Sequence, residues 1–205
     1  MYKKLIVVFE GIEGSGKSLH IRNVTNYFKK KNIKFIKIRE PGGSKSSEKI
    51  RKIILSNKSE FNKNTDLLLY MAARSENIEK IINKNYRKKI ILIDRFIDST
   101  IAYQHYGMGI NLAIINVLNK FLLKDLKVDF TFLNLVNKKN LQIRLSKRKS
   151  LNRYDNFKVN FYEKIQSGFI KIARKNRSRY LMIDSNKNIQ KNKEIILDKI
   201  NNLIK

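Results

Sequence analysis

The sequence predicts an α/β fold in which a five-stranded parallel sheet is flanked by helices, in one domain that covers residues 1–205. Three observations carry this prediction. Short apolar runs of strand length recur along the 205 residues. Segments with apolar residues at three- and four-residue spacing lie between them, and no linker-like stretch divides the chain. Strands that alternate with helices favour a sheet covered on both faces.

The five predicted strands are mostly apolar, which is typical of strands buried on both faces of a parallel sheet. In chain order they span residues 5–9, 35–38, 90–93, 130–135 and 180–183. The segments with helical periodicity are predicted to cover the sheet. They span residues 18–31, 47–55, 65–83, 111–123, 141–147, 157–173 and 194–204. The only proline is Pro41, and no Gly/Ser-rich spacer appears, so one domain is expected.

The composition excludes several classes of protein. No apolar run reaches the length of a membrane-spanning helix, and the apolar run after the basic start is too short for a secretory signal. The absence of cysteine excludes disulfides and thiolate chemistry. Only two histidines, His20 and His105, are present, which argues against a His-rich metal site. We therefore expect a cytoplasmic protein.

The formal net charge of +28 is the most unusual bulk property. A charge of this size favours non-specific binding of polyanions. The lysines are, however, scattered along the whole chain among many asparagines, as an AT-rich genome would produce without selection for a partner. We expect no specific nucleic-acid partner, although the charge helps to attract anionic nucleotides.

Residues 11–18 match the pattern G-x-x-x-x-G-K-[ST] of a phosphate-binding loop, or P-loop. The residues predicted to bind ATP there are Gly11, Ile12, Glu13, Gly14, Ser15, Gly16, Lys17 and Ser18. A strand leads into the loop and a helix follows it, so backbone N–H groups and the helix N-terminus converge on one point. Lys17 is expected to bridge the β- and γ-phosphates of ATP, and Ser18 to bind Mg²⁺.

Charged residues follow two other predicted strands. Asp94 ends the strand at 90–93 and is placed like a Walker B carboxylate, which holds Mg²⁺ directly or through water. Arg95 is expected in the same cleft, where a guanidinium suits bidentate phosphate binding. Glu40 and the sequence Pro-Gly-Gly follow the second strand. They suit a simple turn, or they place the Glu40 carboxylate in a cleft and form a loop that can approach a phosphoryl acceptor closely.

A basic segment at residues 144–154 (RLSKRKSLNRY) lies between two predicted helices and has few apolar residues. Two interpretations remain open. It is a solvated charged turn, or it is a mobile basic lid that closes over phosphates, at about residues 144–156.

Read together, the motifs resemble those of bacterial thymidylate kinases (dTMP kinases) almost from end to end. They are FEGIEGSGKS, REPGG, EKIRKIIL, LLLYMAARSE, DRFIDSTIAYQ, NRYD and IDSNKNI. The combination of REPGG with DR-x5-IAYQ is specific to that family among nucleoside monophosphate kinases. The resemblance implies a P-loop nucleoside monophosphate kinase fold with a short lid, ATP as phosphoryl donor with Mg²⁺, dTMP as acceptor, and a homodimer.

The resemblance also implies which side chains contact the thymine base. Tyr70 falls where the family stacks an aromatic ring, usually Phe, on thymine. Arg74, one helical turn further on the same face, matches the arginine that reaches a thymine carbonyl. Gln104 matches the side chain that pairs with the imide edge, and Thr100 lies at a neighbouring base-contact position.

Further residues match the family positions around the sugar and phosphate of the acceptor. Glu13 occupies the acidic position that approaches the 3′-hydroxyl, and Tyr103 matches the ring packed under the deoxyribose that disfavours a 2′-hydroxyl. Arg51 and Arg95 align with arginines that bind the acceptor phosphate. Glu40 is expected in the same cleft.

On the donor side, Arg144 aligns with an arginine that flanks adenine, and the loop of Asp184 and Ser185 resembles the segment that closes over that base. Arg153 matches the lid arginine that meets the transferring phosphoryl group. The P-loop carries Gly14 where another branch of the family has its catalytic arginine, so the guanidinium must come from elsewhere.

Two departures from the family pattern stand out. Met108 replaces an arginine that bacterial relatives usually carry. In the lid, Lys147, Arg148 and Lys149 crowd Arg153, so the register of the lid arginine stays open.

The predicted reaction is in-line transfer of the γ-phosphoryl group from ATP to dTMP. The acceptor phosphate is already an anionic nucleophile, so catalysis rests on positioning and charge neutralisation. The catalytic residues are expected to be Lys17, Asp94, Arg95 and Arg153. Three alternatives stay open: a kinase for another acceptor such as dUMP or dCMP, a P-loop ATPase that binds nucleic acid, and an inactive nucleotide binder.

Overall fold

A computed structural model describes residues 2–147 and 152–205. Its sheet has five strands, and every pairing between them is parallel. The strands are β1 (Ile6–Glu10), β2 (Phe35–Arg39), β3 (Ile90–Asp94), β4 (Phe130–Leu135) and β5 (Tyr180–Asp184). Their order across the sheet is β2-β3-β1-β4-β5. The predicted fold class is confirmed.

The register brings charged residues to one edge of the sheet. Asp94 at the end of β3 pairs with Phe9 of β1 on one side and with Arg39 of β2 on the other. Because the strands are parallel, their carboxyl ends meet along the edge where α/β proteins bind ligands. The central position of β1 therefore puts the P-loop in the middle of that edge.

Nine α-helices lie within the described ranges. They are α1 (Lys17–Lys30), α2 (Lys45–Leu55), α3 (Lys63–Asn77), α4 (Asn83–Asn85), α5 (Ile97–Thr100), α6 (Leu112–Leu123), α7 (Lys138–Ser146), α8 (Val159–Lys175) and α9 (Ile189–Ile204). A π-helical segment, Ile78–Ile82, joins α3 to α4, and another, Ile101–Gly107, continues α5. Short 3₁₀ turns span Arg153–Asn156 and Arg177–Arg179.

Asparagine caps move several helix starts upstream of the predicted ones. The Asn188 side chain accepts hydrogen bonds from the backbone of Gln190 and Lys191, so α9 begins at Ile189 and not at residue 194. Asn137 and Asn62 cap α7 and α3 in the same way. The predicted bounds missed these starts because their first turns carry few apolar residues.

The two faces of the sheet are covered by different helices. Val7 and Phe9 of β1 face α1 and α9, and Phe9 stacks on Phe132 of β4 at 5.0 Å between ring centroids. Ile6 and Val8, which alternate with them, face the π-helical segment that follows α3. In the part of the chain that the structure describes, no helix is long and apolar enough to cross a membrane.

Candidate active site

A cavity of about 400 Å³ opens at the carboxyl edge of the sheet, between the P-loop, α3 and α5. Its lining unites most of the residues predicted to bind the two nucleotides. They are residues 13–18 of the P-loop, Glu40, Arg51, Tyr70, Arg74, Asp94, Arg95, Thr100, Tyr103 and Gln104. The volume and the convergence of charged and aromatic groups are typical of a small-ligand site.

The P-loop wraps around the side chain of Lys17. Lys17 Nζ donates hydrogen bonds to the carbonyl oxygens of Gly11 and Ile12, both at 2.8 Å. Burial first, and the nearby Arg95 second, lower the pKa of Lys17 to about 8. A Cβ at Gly11 would stand 2.4 Å from the carbonyl oxygen of Asn134, so only glycine fits there.

Glu13 links two predicted acceptor residues into one network. One of its carboxylate oxygens accepts a hydrogen bond from Arg95 Nη2 at 2.8 Å, and the other accepts from the Tyr103 hydroxyl. The Arg95 guanidinium also lies 5.2 Å from the centroid of the Tyr103 ring. Burial favours the neutral acid, yet Arg95 and Lys17 hold the pKa of Glu13 below its ordinary value. Glu13 is therefore an anion that faces the cavity with its oxygens already oriented.

Glu10, which sequence reasoning did not assign, orders the loop that carries Arg95. Its Oε1 accepts hydrogen bonds from the backbone N–H groups of Phe96 at 2.9 Å and Ser99 at 3.1 Å. Its Oε2 accepts from the Ser99 hydroxyl. Burial first, and Asp98 second, raise the pKa of Glu10 to about 7. Glu10 ends an apolar strand just as Asp94 does, and this shared placement was the signal available in the sequence.

Arg74 is fully buried, and its donors already have protein partners. Its guanidinium contacts Glu40 Oε2 through Nε at 2.9 Å and Nη2 at 2.8 Å. It also donates to Asn119 Oδ1 at 2.9 Å and to Thr100 Oγ1 at 3.0 Å. Burial raises the pKa of Glu40, and Arg74 counteracts this. Asn119 on α6 was missed, because an asparagine in an amphipathic helix gives no signal of such a contact.

The aromatic and amide groups predicted to contact the base also meet in the cavity. Tyr70 lies edge-on to Tyr154, with 6.0 Å between the ring centroids. Gln104 is buried in the π-helical segment, and its Nε2 has no hydrogen-bond partner among the described residues. A buried amide without a partner is costly unless a ligand or water satisfies it, so Gln104 is a candidate ligand contact.

The donor-side residues form a second group, next to the P-loop. Arg144 donates from Nη1 to the Gly14 carbonyl oxygen at 2.8 Å and from Nη2 to the Ser185 carbonyl oxygen at 2.7 Å. The guanidinium thus joins the P-loop to the loop that follows Asp184, the last residue of β5. The three residues predicted to surround adenine are brought together.

The structure does not bring Arg153 to the P-loop. Its Nη2 donates to Asp66 Oδ1 at the start of α3, and its guanidinium lies over the rings of Phe61 and Tyr154. Its neighbours Asn152 and Tyr154 line the cavity. Of the other predicted lid residues, Arg148 and Lys149 lie outside the described residues. Asp66 and Tyr154 were not assigned, because their contacts join distant parts of the chain.

Ser18 and Asp94 both line the cavity beside Lys17. Among residues 2–147 and 152–205, no cluster of three or more His, Cys, Asp or Glu side chains could hold a metal by itself. A hydroxyl and one carboxylate suit Mg²⁺ when the nucleotide phosphates complete its oxygen ligands. The donor set therefore fits the predicted ion.

Comparisons with known proteins agree on one family. A family model described as thymidylate kinase matches residues 9–196. The thymidylate kinase of Sulfurihydrogenibium sp. is 39% identical over 196 residues, which cover 95% of each chain. That of Wolbachia from Brugia malayi is 40% identical over 172 residues, which cover 82% of this chain and 81% of the relative. A crystal structure of thymidylate kinase from Ehrlichia chaffeensis superposes with a TM-score of 0.78 at 31% identity, covering 97% of this chain and 98% of the other.

Proposed function

The chain belongs to the thymidylate kinase family, and from that premise we propose how its residues transfer the γ-phosphoryl group of ATP to dTMP. Its activity is that of a nucleoside monophosphate kinase, which converts ATP and dTMP into ADP and dTDP. One observation carries the residue assignments. The P-loop and the side chains predicted to contact thymine line one continuous cavity.

We assign the thymine base to the side of the cavity formed by Tyr70, Arg74 and Gln104. Gln104 Nε2, which has no partner in the described part of the chain, supports this, because an imide carbonyl would satisfy it. Arg74 would have to share Nη2 between Thr100 and a thymine carbonyl, since its donors are engaged. A methyl group contributes only about 1–3 kcal/mol of discrimination, so dUMP should be a slower substrate.

We assign the deoxyribose to the Glu13–Tyr103 pair and the acceptor phosphate to Arg95 and Arg51. Each Glu13 oxygen keeps a lone pair that can accept from a 3′-hydroxyl. The Tyr103 ring is held by Glu13 and cannot easily give way to a 2′-hydroxyl. Burial lowers the pKa of Arg95, but the nearby Glu13 raises it by more. Arg95 therefore stays a cation beside the reacting phosphates.

On the donor side, Lys17 would exchange its two carbonyl partners for phosphate oxygens. Ser18 and Asp94 would hold Mg²⁺ together with the ATP phosphates, where the ion neutralises their charge. Arg144, Asp184 and Ser185 would flank adenine. Arg153 stays the predicted lid arginine, a role that requires its guanidinium to leave Asp66.

We propose that the enzyme forms a homodimer through α6 and the adjacent face of α3. Val117 and Phe121 of α6 are 67% and 73% exposed, and Ile114 and Leu68 extend the same apolar surface. Contiguous exposed apolar surface favours association. Because the donor is ATP, we place the reaction in the cytoplasm. We expect no specific nucleic-acid partner, so DNA or RNA should not stimulate ATP hydrolysis.

The assignment of the base site is tested by Gln104→Ala. We expect the KM for dTMP to rise about tenfold and the KM for ATP to stay within about twofold, because one base contact of about 1.4 kcal/mol is lost. Gln190→Ala, an exposed glutamine on α9, is the matched control. An unchanged KM for dTMP would remove Gln104 from the base site.

A further inference from the structure

Asp66 is a buried carboxylate, 2% exposed, that the proposed reaction does not use. It lies in the first turn of α3 and accepts hydrogen bonds from two consecutive residues at the end of the lid. Its Oδ1 accepts from Arg153 Nη2, and its Oδ2 accepts from the Tyr154 hydroxyl at 2.7 Å. A single carboxylate thus fastens the lid end to α3.

Two further sets of contacts stabilise the bonds from Arg153 and Tyr154 to Asp66. The Arg153 guanidinium lies 5.7 Å from the Phe61 ring centroid and 5.1 Å from that of Tyr154. The short turn that holds Arg153 and Tyr154 is itself capped, because Asn152 Oδ1 accepts from the Tyr154 backbone N–H at 2.9 Å. Both donors to Asp66 therefore come from a locally ordered turn.

Tyr154 extends this anchor into the acceptor side of the cavity. Its ring lies edge-on to Tyr70, with 6.0 Å between centroids, and to Tyr103, with 6.1 Å. These are the two rings assigned to thymine and deoxyribose. One face of α3 carries Asp66, Tyr70 and Arg74, because these residues are spaced four apart along the helix.

We infer that Asp66 is a positioning residue for dTMP: by holding Arg153 and Tyr154, it keeps the Tyr154 ring against Tyr70 and Tyr103 and ties the lid end to the acceptor helix. The inference rests on the proposed assignment of those two rings. Arg153 then affects dTMP binding through Asp66, whatever it contributes to the transferring phosphoryl group. Removing either partner should loosen the same two rings.

A double-mutant cycle tests this inference. Asp66→Asn, Arg153→Ala and the double variant are compared with the wild type for kcat and for the KM of each substrate. We expect each single variant to raise the KM for dTMP about tenfold and the KM for ATP less than about threefold, and the double variant to match the singles, since contacting residues are non-additive. Effects on the KM for dTMP that multiply, or no effect at all, would overturn the inference.

Further variants separate positioning from a loss of folding. Tyr154→Phe keeps the ring and removes the hydroxyl that bonds Asp66 and Tyr70. We expect the KM for dTMP to rise about threefold with unchanged ADP affinity, because the hydrogen bonds of one hydroxyl are lost. Arg153→Lys, which keeps the charge, should show a smaller rise in the KM for dTMP than Arg153→Ala. Asp198→Asn on the exposed face of α9 is the control. A Tyr154→Phe enzyme with the wild-type KM would count against the inference.

The same measurements keep the proposals apart. A wild-type enzyme without dTMP kinase activity would refute the proposed function itself. A fall in kcat confined to the variants that lack Arg153 would report on the predicted role of Arg153 at the transferring phosphoryl group. Only the changes in the KM for dTMP across the cycle test the role of Asp66.

Discussion

Replacing Glu10 by glutamine isolates the charge of a carboxylate that the fold buries completely. Glutamine keeps an acceptor for the N–H groups of Phe96 and Ser99, and its amide can donate to the Ser99 hydroxyl, which rotates to accept. The substitution therefore removes the titration of this group while retaining its three hydrogen bonds.

The magnitude follows from the pKa of Glu10, which burial and then Asp98 raise from 4.5 to about 7. Below pH 4.5 the group is protonated in the folded and unfolded states alike, and it does not affect stability. Between pH 4.5 and 7 the unfolded chain releases the proton and the folded chain keeps it, so stability falls as the pH rises. At about 1.4 kcal/mol per pKa unit, the full loss above pH 7 is about 3 kcal/mol.

Urea denaturation of the wild type and of Glu10→Gln at pH 5 and pH 8 measures this loss. We expect the stability gained by the glutamine variant to be about 2.5 kcal/mol larger at pH 8 than at pH 5. The activity of the variant should stay within about threefold of the wild type, because the loop before Ser99 keeps its hydrogen bonds. An equal stability difference at the two pH values would refute the reasoning, since Glu10 would then be ionised in the folded state throughout.

Three other substitutions probe the site, the packing and the surface. Lys17→Ala should lower kcat at least about a hundredfold without unfolding the protein, as judged by circular dichroism, because it removes the P-loop cation; wild-type turnover would contradict this. Gly168→Ala should cost about 1–3 kcal/mol in thermal denaturation, since its Cβ would stand 2.5 Å from Tyr106 Cδ2, whereas Ser167→Ala should be neutral. Val117→Asp should convert a dimer into a monomer in light scattering, and an unchanged mass would refute the proposed interface.

The sheet and the P-loop were predictable because their signals are local. Five apolar runs marked the strands within one residue or so of their bounds. The spacing of Gly11, Gly16 and Lys17 within one short segment identified the phosphate loop before any tertiary contact was known. Motifs of this kind need only the strand before them and the helix after them.

The segment that carries Tyr103 and Gln104 was not predicted as a helix, for a physical reason. Ile101–Gly107 is π-helical, and its wider turn departs from the spacing by which amphipathic α-helices are recognised. The irregular turn points the adjacent side chains of Tyr103 and Gln104 into the interior. The family resemblance supplied their roles, which the periodicity could not.

The contacts of Glu10 and Asp66 were beyond the sequence because they join distant segments. Glu10 meets Ser99 across 89 residues and Asp66 meets Arg153 across 87. An acidic residue in the first turn of a helix, such as Asp66, is also expected from the helix dipole alone. Only the tertiary fold shows that this carboxylate holds Arg153 and Tyr154.

A coupled ADP-release assay with a panel of nucleoside monophosphates tests most directly whether the enzyme phosphorylates dTMP in this cavity. We expect the highest kcat/KM with dTMP, a lower value with dUMP, and little activity with dCMP or AMP. Efficient turnover of dCMP or AMP without activity on dTMP would contradict this expectation.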